Sequence, residues 1–201
     1  MVRVALTGGI ATGKSHVRAR LDALGIPTID ADELARRALQ PGTAGETAVR
    51  SRFGAAVLGP DGTVDRAALG RLVFADPSAR RDLEAILHPA VYEAIEGWFD
   101  RLPAGTPVAV ADIPLLFETG HEGEFDEVVV AACPAEEQIR RVVARDRLTE
   151  AEARARLTAQ WPIEEKVRRA DVVIPTTGGP AETHAEIERL VARWRGGIGS
   201  S

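Results

Sequence analysis

Leu6-Thr7-Gly8-Gly9-Ile10-Ala11-Thr12-Gly13-Lys14-Ser15-His16 is the stretch whose reading decides the fold. An apolar run over residues 2–6 leads into it, and Val17, Leu21 and Leu24 follow at i, i+4 and i+7, so it joins a buried strand to a helix. Within it Gly8, Gly13, Lys14 and Ser15 meet the spacing G-x-x-x-x-G-K-[ST] in the strand, loop and helix context that a phosphate loop requires. Polyphosphate oxygens need many donors close together. Backbone N–H groups supply them only where the chain wraps tightly, which favours Gly8, Gly9 and Gly13. The amides opening the helix then point at the anion, Lys14 brings a compact charge to the β and γ phosphates, and the Ser15 hydroxyl offers a ligand to Mg²⁺. The nucleotide-contacting set is thus Gly8, Gly9, Ile10, Ala11, Thr12, Gly13, Lys14, Ser15 and His16. Of 25 basic residues only Lys14 and Lys166 are lysine, so lysine stands where a point charge is wanted.

Working outward, 201 residues suffice for one good core with a subdomain but are short for two independent domains. A net charge of -5 and the lack of any basic block argue against a nucleic-acid partner. The single cysteine, Cys133, closes an apolar strand and reads as packing, and it leaves no intramolecular disulfide to form, as in a reducing compartment. No apolar stretch approaches a membrane span, and the N-terminal residues read as a strand without a signal-peptide layout, so a cytoplasmic protein with no membrane partner is expected.

The second apolar segment, Thr28-Ile29, ends in Asp30-Ala31-Asp32-Glu33. Either aspartate would cap the helix that follows; two acids after a strand, in a chain with a phosphate loop, also suit the ligand crevice of an open α/β sheet. Residues 34–102 read as interrupted helices, punctuated by Pro41-Gly42, Gly59-Pro60-Asp61-Gly62 and Asp76-Pro77. One helix opens near Asp65; a longer one carries Leu83, Ile86, Leu87, Val91, Ile95 and Trp98, and Pro89 should kink or restart it. Val108-Ala109-Val110-Ala111-Asp112 is a strand ending in an acid, a second metal-ligand candidate, followed by an apolar loop ending in Glu118. Another strand covers residues 127–133. Two charged helices span residues 135–160, with Glu136 and Arg140, and Glu137 and Arg141, spaced for i,i+4 pairs. A helical lid over this region would bring Arg141 or Arg145 onto the transferring phosphate. A last strand covers residues 171–175, a final helix carries Ile187, Leu190, Val191 and Trp194, and residues 196–201 should fray.

Five strands alternating with helices give an α/β fold of the P-loop NTPase type. It is a doubly wound five-stranded parallel sheet with a helical acceptor-binding insertion after the second strand and a lid after the fourth. The chain reads as one domain over 1–201, with its core in 1–32, 103–135 and 170–195, the insertion at about 33–102 and the lid at about 136–169.

The chain also resembles the dephospho-coenzyme A kinases, P-loop kinases that it matches in an ordered set of separated motifs. Besides residues 6–15 these are Ile29-Asp30-Ala31-Asp32, Pro41-Gly42, Phe53-Gly54, Asp61-Gly62 with Asp65-Arg66, Val73-Phe74 with Asp76-Pro77, and His88-Pro89. Further along come Pro114-Leu115-Leu116-Phe117-Glu118, Gln138 with Arg141, Arg145-Asp146, Ala159-Gln160, and Ala170-Asp171-Val172-Val173-Ile174. The resemblance implies ATP-dependent phosphorylation of the ribose 3′-hydroxyl of dephospho-coenzyme A, with ATP and Mg²⁺ as cofactors and Asp32 as the catalytic acidic residue. It also implies that the helical insertion helps hold the acceptor. The candidate set is then Asp32, Lys14, Arg141 and Arg145 for catalysis, Ser15 and Asp112 for the metal, and Asp32, Leu115 and His88 for the acceptor, His88 equally reading as a structural histidine of its helix. A monomer or small homo-oligomer is expected. Ala11, Thr12 and His16 depart from the family's usual glycine, serine and threonine. Ile163 and Lys166 stand where arginines are common, and Pro175-Thr176-Thr177-Gly178 replaces a more asparagine-like exit loop. A nucleoside or nucleotide kinase of similar architecture is the alternative enzyme. A guanine-reading switch is disfavoured because its Asn-Lys-x-Asp motif cannot occur in a chain without asparagine.

Overall fold

The computed structural model describes residues 1–196; residues 197–201, part of the stretch expected to fray, lie outside the described residues. The elements run β1 (Val2–Gly8), α1 (Lys14–Ala23), β2 (Thr28–Asp30), α2 (Ala31–Ala38), α3 (Ala44–Phe53), α4 (Arg66–Ala75) and α5 (Pro77–Asp100). They continue as β3 (Val108–Asp112), α6 (Leu116–Thr119), β4 (Glu127–Ala132), α7 (Ala135–Asp146), α8 (Glu150–Thr158), α9 (Ile163–Arg169), β5 (Val172–Pro175) and α10 (Pro180–Gly196).

The five strands form one parallel sheet in the order β2-β3-β1-β4-β5. β1, β3 and β4 are rich in valine and alanine and buried on both faces, as the inner strands of a helix-covered parallel sheet must be. Val17 and Leu21 of α1, with Ile187, Leu190, Val191 and Trp194 of α10, close over Val4, Leu6, Val108, Val110 and Val129. The α10 stripe repeats at i, i+3, i+4 and i+7, which is why one face of it is apolar. From β1 the chain crosses to β2 on one side, and from β3 it crosses to β4 on the other. The crevice where these connections diverge therefore opens at the C-terminal ends of β1 and β3. Leu6 pairs with Asp112 in that register, so the exit of β1 and the acid ending β3 are neighbours.

The chain divides into two compact units, one made of Met1–Ile29 with everything from Leu102 onward, the other of Asp30–Arg101. The second unit has its own small core, in which Val49, Val57 and Leu69 pack with Phe53, Leu72, Leu83 and Ile86. Its helices start on acidic or hydroxyl caps: Asp30 for α2, Thr43 for α3, Asp65 for α4 and Asp76 for α5, the last with Pro77 at the first helical position.

Two expectations are corrected. α5 does not restart at Pro89 but runs 24 residues through it, its apolar face holding the helix together across the missing N–H. The loop after β3 contains a one-turn helix, α6, which buries Leu116 and Phe117. The two charged helices expected over residues 135–160 are α7 and α8, and after Gln160 and Trp161 a further short helix, α9, starts behind Pro162. No helix among the described residues is long and apolar enough to cross a membrane.

Asp65 accepts hydrogen bonds from the amides of Ala67 (2.8 Å) and Ala68 (3.1 Å), two donors that the helix itself cannot satisfy. Asp65→Ala is expected to lower stability by about 1 kcal/mol, read as a lower urea midpoint with an unchanged slope.

Candidate active site

The phosphate loop is shaped by what surrounds its glycines. A Cβ on Gly8 would lie 2.6 Å from Thr12 Oγ1 and 2.7 Å from the Ala131 carbonyl oxygen, so the end of β1 leaves no room for a side chain. Gly13 adopts φ +85° as it turns into α1, a conformation that costs glycine nothing. Between them the loop is tied to itself: the Thr12 hydroxyl and amide both donate to the Gly9 carbonyl, at 2.9 and 3.3 Å. Ala11 sits at φ +56°, in the left-handed region that a residue with a Cβ enters only at a cost. Ile10 and Ala11 pack against the cluster of Ile139, Val142 and Ala153, which gives this strained backbone something to lean on.

Lys14 opens α1 and its ammonium pairs with Asp112, a carboxylate whose side chain is only 3% exposed at the end of β3. Arg18, one turn further along α1, brings Nε to 3.6 Å from the other carboxylate oxygen. Ser15 is exposed in the same first turn. His16 donates its amide to the Gly13 carbonyl at 2.9 Å, and its ring stacks on His184 of α10, with centroids 4.9 Å apart and planes 12° from parallel.

Of the two candidate arginines on α7, Arg141 is joined to the loop and Arg145 is not. Arg141 donates to the Ala11 carbonyl (3.3 Å) and to the Thr176 carbonyl (2.5 Å), and Thr176 Oγ1 donates to the Thr12 carbonyl. Glu137 aims this guanidinium through a 2.7 Å bond, and the bonds it accepts from Arg140 and Arg141 hold its carboxyl down to about 2. Arg145 is 60% exposed and bonded to the adjacent Asp146. The expected pairing of Glu136 with Arg140 is replaced: Glu137 takes Arg140 as well as Arg141, and Glu136 reaches Arg154 of α8 at 3.2 Å. Cys133 is buried beside Arg141, and burial pushes its thiol up, which fits packing.

Leu115 lies at the exposed rim of α6, in the first unit. Asp32 and His88 belong to the second unit. Asp30 settles the capping question there, since its carboxylate accepts from the amides of Asp32 (2.8 Å) and Glu33 (3.3 Å). Asp32 is then left exposed on the first turn of α2, and His88 is half-buried in the middle of α5.

Gln160 and Lys166, absent from the expected site set, touch the loop directly, and Glu118 holds Lys166 there. Gln160 Oε1 accepts from the Ile10 amide at 2.9 Å, Lys166 is buried beneath Gly8, and Glu118 pairs with Lys166. The scarcity of lysine was the available signal for Lys166; Gln160 and Glu118 stood inside matched motifs without a role.

Comparison with known proteins gives one consistent picture. A family model described as dephospho-CoA kinase matches residues 2–182. The dephospho-CoA kinase of Anaeromyxobacter dehalogenans is 52% identical over 98% of this chain and 93% of its own length. That of Geobacter sulfurreducens is 48% identical over 94% and 97%. Among solved structures, TT1252 from Thermus thermophilus superposes with a TM-score of 0.82 at 40% identity, covering 96% of this chain and 97% of that one. The dephospho-CoA kinase from Campylobacter jejuni gives 0.74 at 29%, covering 98% of each. Shikimate kinase from Acinetobacter baumannii, at 0.53 and 17% identity, shares the fold over 96% of this chain and 94% of its own.

The left-handed backbone at residue 11 is directly testable. Ala11→Gly is expected to raise stability by up to ~1 kcal/mol, where the same change at an exposed mid-helix alanine such as Ala85 of α5 lowers it by about that much. Urea unfolding of both variants makes the comparison, and equal losses would show that residue 11 is not strained.

Proposed function

The chain belongs to the dephospho-CoA kinase family, and from that premise we propose how its own residues divide the work of phosphorylating dephospho-CoA with ATP. The observation that carries the proposal is the meeting of Lys14 with Asp112 at the crevice between β1 and β3.

Phosphoryl transfer through a loose transition state needs positioning and charge neutralisation more than covalent help. The Lys14 ammonium and those amides of residues 8–16 that the loop does not use itself hold the β and γ phosphates; the amides of Ile10, Thr12 and His16 are bonded to Gln160, Gly9 and Gly13. Arg141 lies against Ala11 and Thr176, where its planar fork serves the nucleotide side of the loop; Arg145 is the second lid arginine available to the transferring group. Asp32 is the acceptor-side acid, taking or orienting the 3′-hydroxyl proton as attack proceeds. What supports this role is that Asp30 caps α2 and so releases the Asp32 carboxylate from it. The segment of about 33–102 holds the acceptor, with His88 contributing from α5 and Leu115 from the rim of α6.

The donor set fits Mg²⁺. Ser15 and Asp112 offer hard oxygens, and among the described residues no group of three or more His, Cys, Asp or Glu could hold a metal alone. That suits a cation that keeps water and phosphate oxygens as its other ligands. Ser15 and Asp112 would hold Mg²⁺, which would supply neutralisation of the phosphate charge. The acidic net charge and single buried cysteine support a cytoplasmic enzyme, monomeric or a small homo-oligomer, with a small-molecule acceptor and neither nucleic acid nor membrane as partner.

Lys14→Ala is expected to fold and to lose at least about a hundredfold in kcat; near-normal turnover would remove Lys14 from the mechanism. Asp32→Asn is expected to lose transfer yet bind ATP with parental affinity in calorimetry, and weakened ATP binding would reassign it to the nucleotide side. An ATP-consumption assay with dephospho-CoA beside nucleoside and nucleoside-monophosphate acceptors tests the acceptor, and a preference for either of the latter would overturn the assignment.

A further inference from the structure

Lys166 is placed as no surface lysine would be. Its side chain is 0% exposed, and its ammonium has three hydrogen-bonding partners for its three protons: the Gly8 carbonyl (3.4 Å), the Pro114 carbonyl (3.2 Å) and the Glu118 carboxylate (2.8 Å to the nearer oxygen). Gly8 is the last residue of β1 and the first of the phosphate loop. Pro114 is two residues beyond Asp112, on the exit from β3. One cation therefore spans both walls of the crevice in which Lys14 meets Asp112. The Thr7 hydroxyl bonds the same Pro114 carbonyl at 3.2 Å, a second stitch between the two walls.

The segment that delivers Lys166 is itself tied to the site at two further points. Gln160 Oε1 takes the Ile10 amide, and the Trp161 amide donates to Glu118 Oε1 at 3.0 Å. The Trp161 ring stacks on Phe117 of α6 and is covered by the Arg169 guanidinium, 4.7 Å from its centroid. Burying an ammonium and a carboxylate together is a poor way to gain stability, because apolar side chains of similar volume do as well or better. Burial pushes the Lys166 ammonium down, and Glu118 pulls it back toward the charged form.

We propose that Lys166 is a positioning residue for phosphoryl transfer: by holding the Gly8 and Pro114 carbonyls on one ammonium it fixes the distance between the phosphate loop and the strand end that carries Asp112. The α9 helix then belongs to the fixed floor of the site, and lid motion is confined to residues before Gln160. The proposal rests on the reading of residues 8–16 as the ATP loop. It departs from the resemblance, which left Lys166 only as a replacement for an arginine.

The test replaces both partners, so that no lone charge is left buried. Lys166→Met with Glu118→Gln is expected to melt within a few degrees of the parent, while calorimetry shows ATP bound on the order of tenfold more weakly. Its kcat should fall on the order of tenfold or more, and its KM for dephospho-CoA should stay within about twofold. A folded double variant with parental ATP affinity and kcat overturns the proposal. So does one that fails to fold, which would make the pair a prop for the fold alone. The calorimetry needs no acceptor, so an error about dephospho-CoA leaves this result readable. A parent that binds no ATP removes the loop reading, and the proposal with it.

Discussion

A chain leaving a strand buried on both faces has to turn without stranding its backbone donors, and the site depends on how residues 8–14 do so. Gly8 has no space for a side chain between Thr12 and the Ala131 carbonyl, and Gly13 supplies the left-handed turn into α1. Within those limits the loop is held by its own bonds, the Thr12 amide and hydroxyl to the Gly9 carbonyl and the Ile10 amide to Gln160, so its shape is set without a ligand. The other groups of the first unit's site act on this loop or next to it. Lys14 springs from its end, Arg141 and Thr176 take its carbonyls, Gln160 takes an amide, and Lys166 takes the carbonyl at its root.

Charge is distributed around the loop in an ordered way. The exposed pairs on α7 and α8, such as Arg154 with Glu150, sit in water and contribute little to stability. The pairs at the loop, Lys14 with Asp112 and Arg141 with Glu137, are less exposed, and there orientation matters more than strength. Glu137 binds Arg140 and Arg141 together, so a single carboxylate sets the direction of the guanidinium that reaches the loop. Arg145 has the same chemistry one turn later, but its neighbour Asp146 draws it toward solvent.

Much of this was legible in the sequence because it is local. The loop motif, the five strands, Asp112 at a strand end and the α10 stripe are each carried by residues within a few positions of one another. What escaped is what depends on distant partners. Lys166 meets Gly8 across 158 residues and Pro114 across 52, and no spacing rule reads such a contact. Its rarity as a lysine marked the position without telling its partners. At Pro89 the restart does not occur, because a proline rule weighs one lost hydrogen bond and not the apolar face that continues past it. The Glu136 and Arg140 spacing misled because Glu137 competes for the same arginine from one residue away. At Asp30 and Asp32 the ambiguity was real, and only the bonds to the Asp32 and Glu33 amides separate the cap from its neighbour.

The segment Asp30–Arg101 is entered once and left once, and it carries its own core and its own helix caps. A continuous stretch of this kind is a cassette: it can be lengthened, shortened or exchanged between two junctions without disturbing the pairing of β1 with β3 and β4. Shikimate kinase, which shares the architecture at 17% identity, shows how far sequences diverge around the same sheet. For a sheet built this way, the strands that carry the phosphate loop and the small core of residues 30–101 lie on different pieces of chain, and selection can revise one while the other stands still.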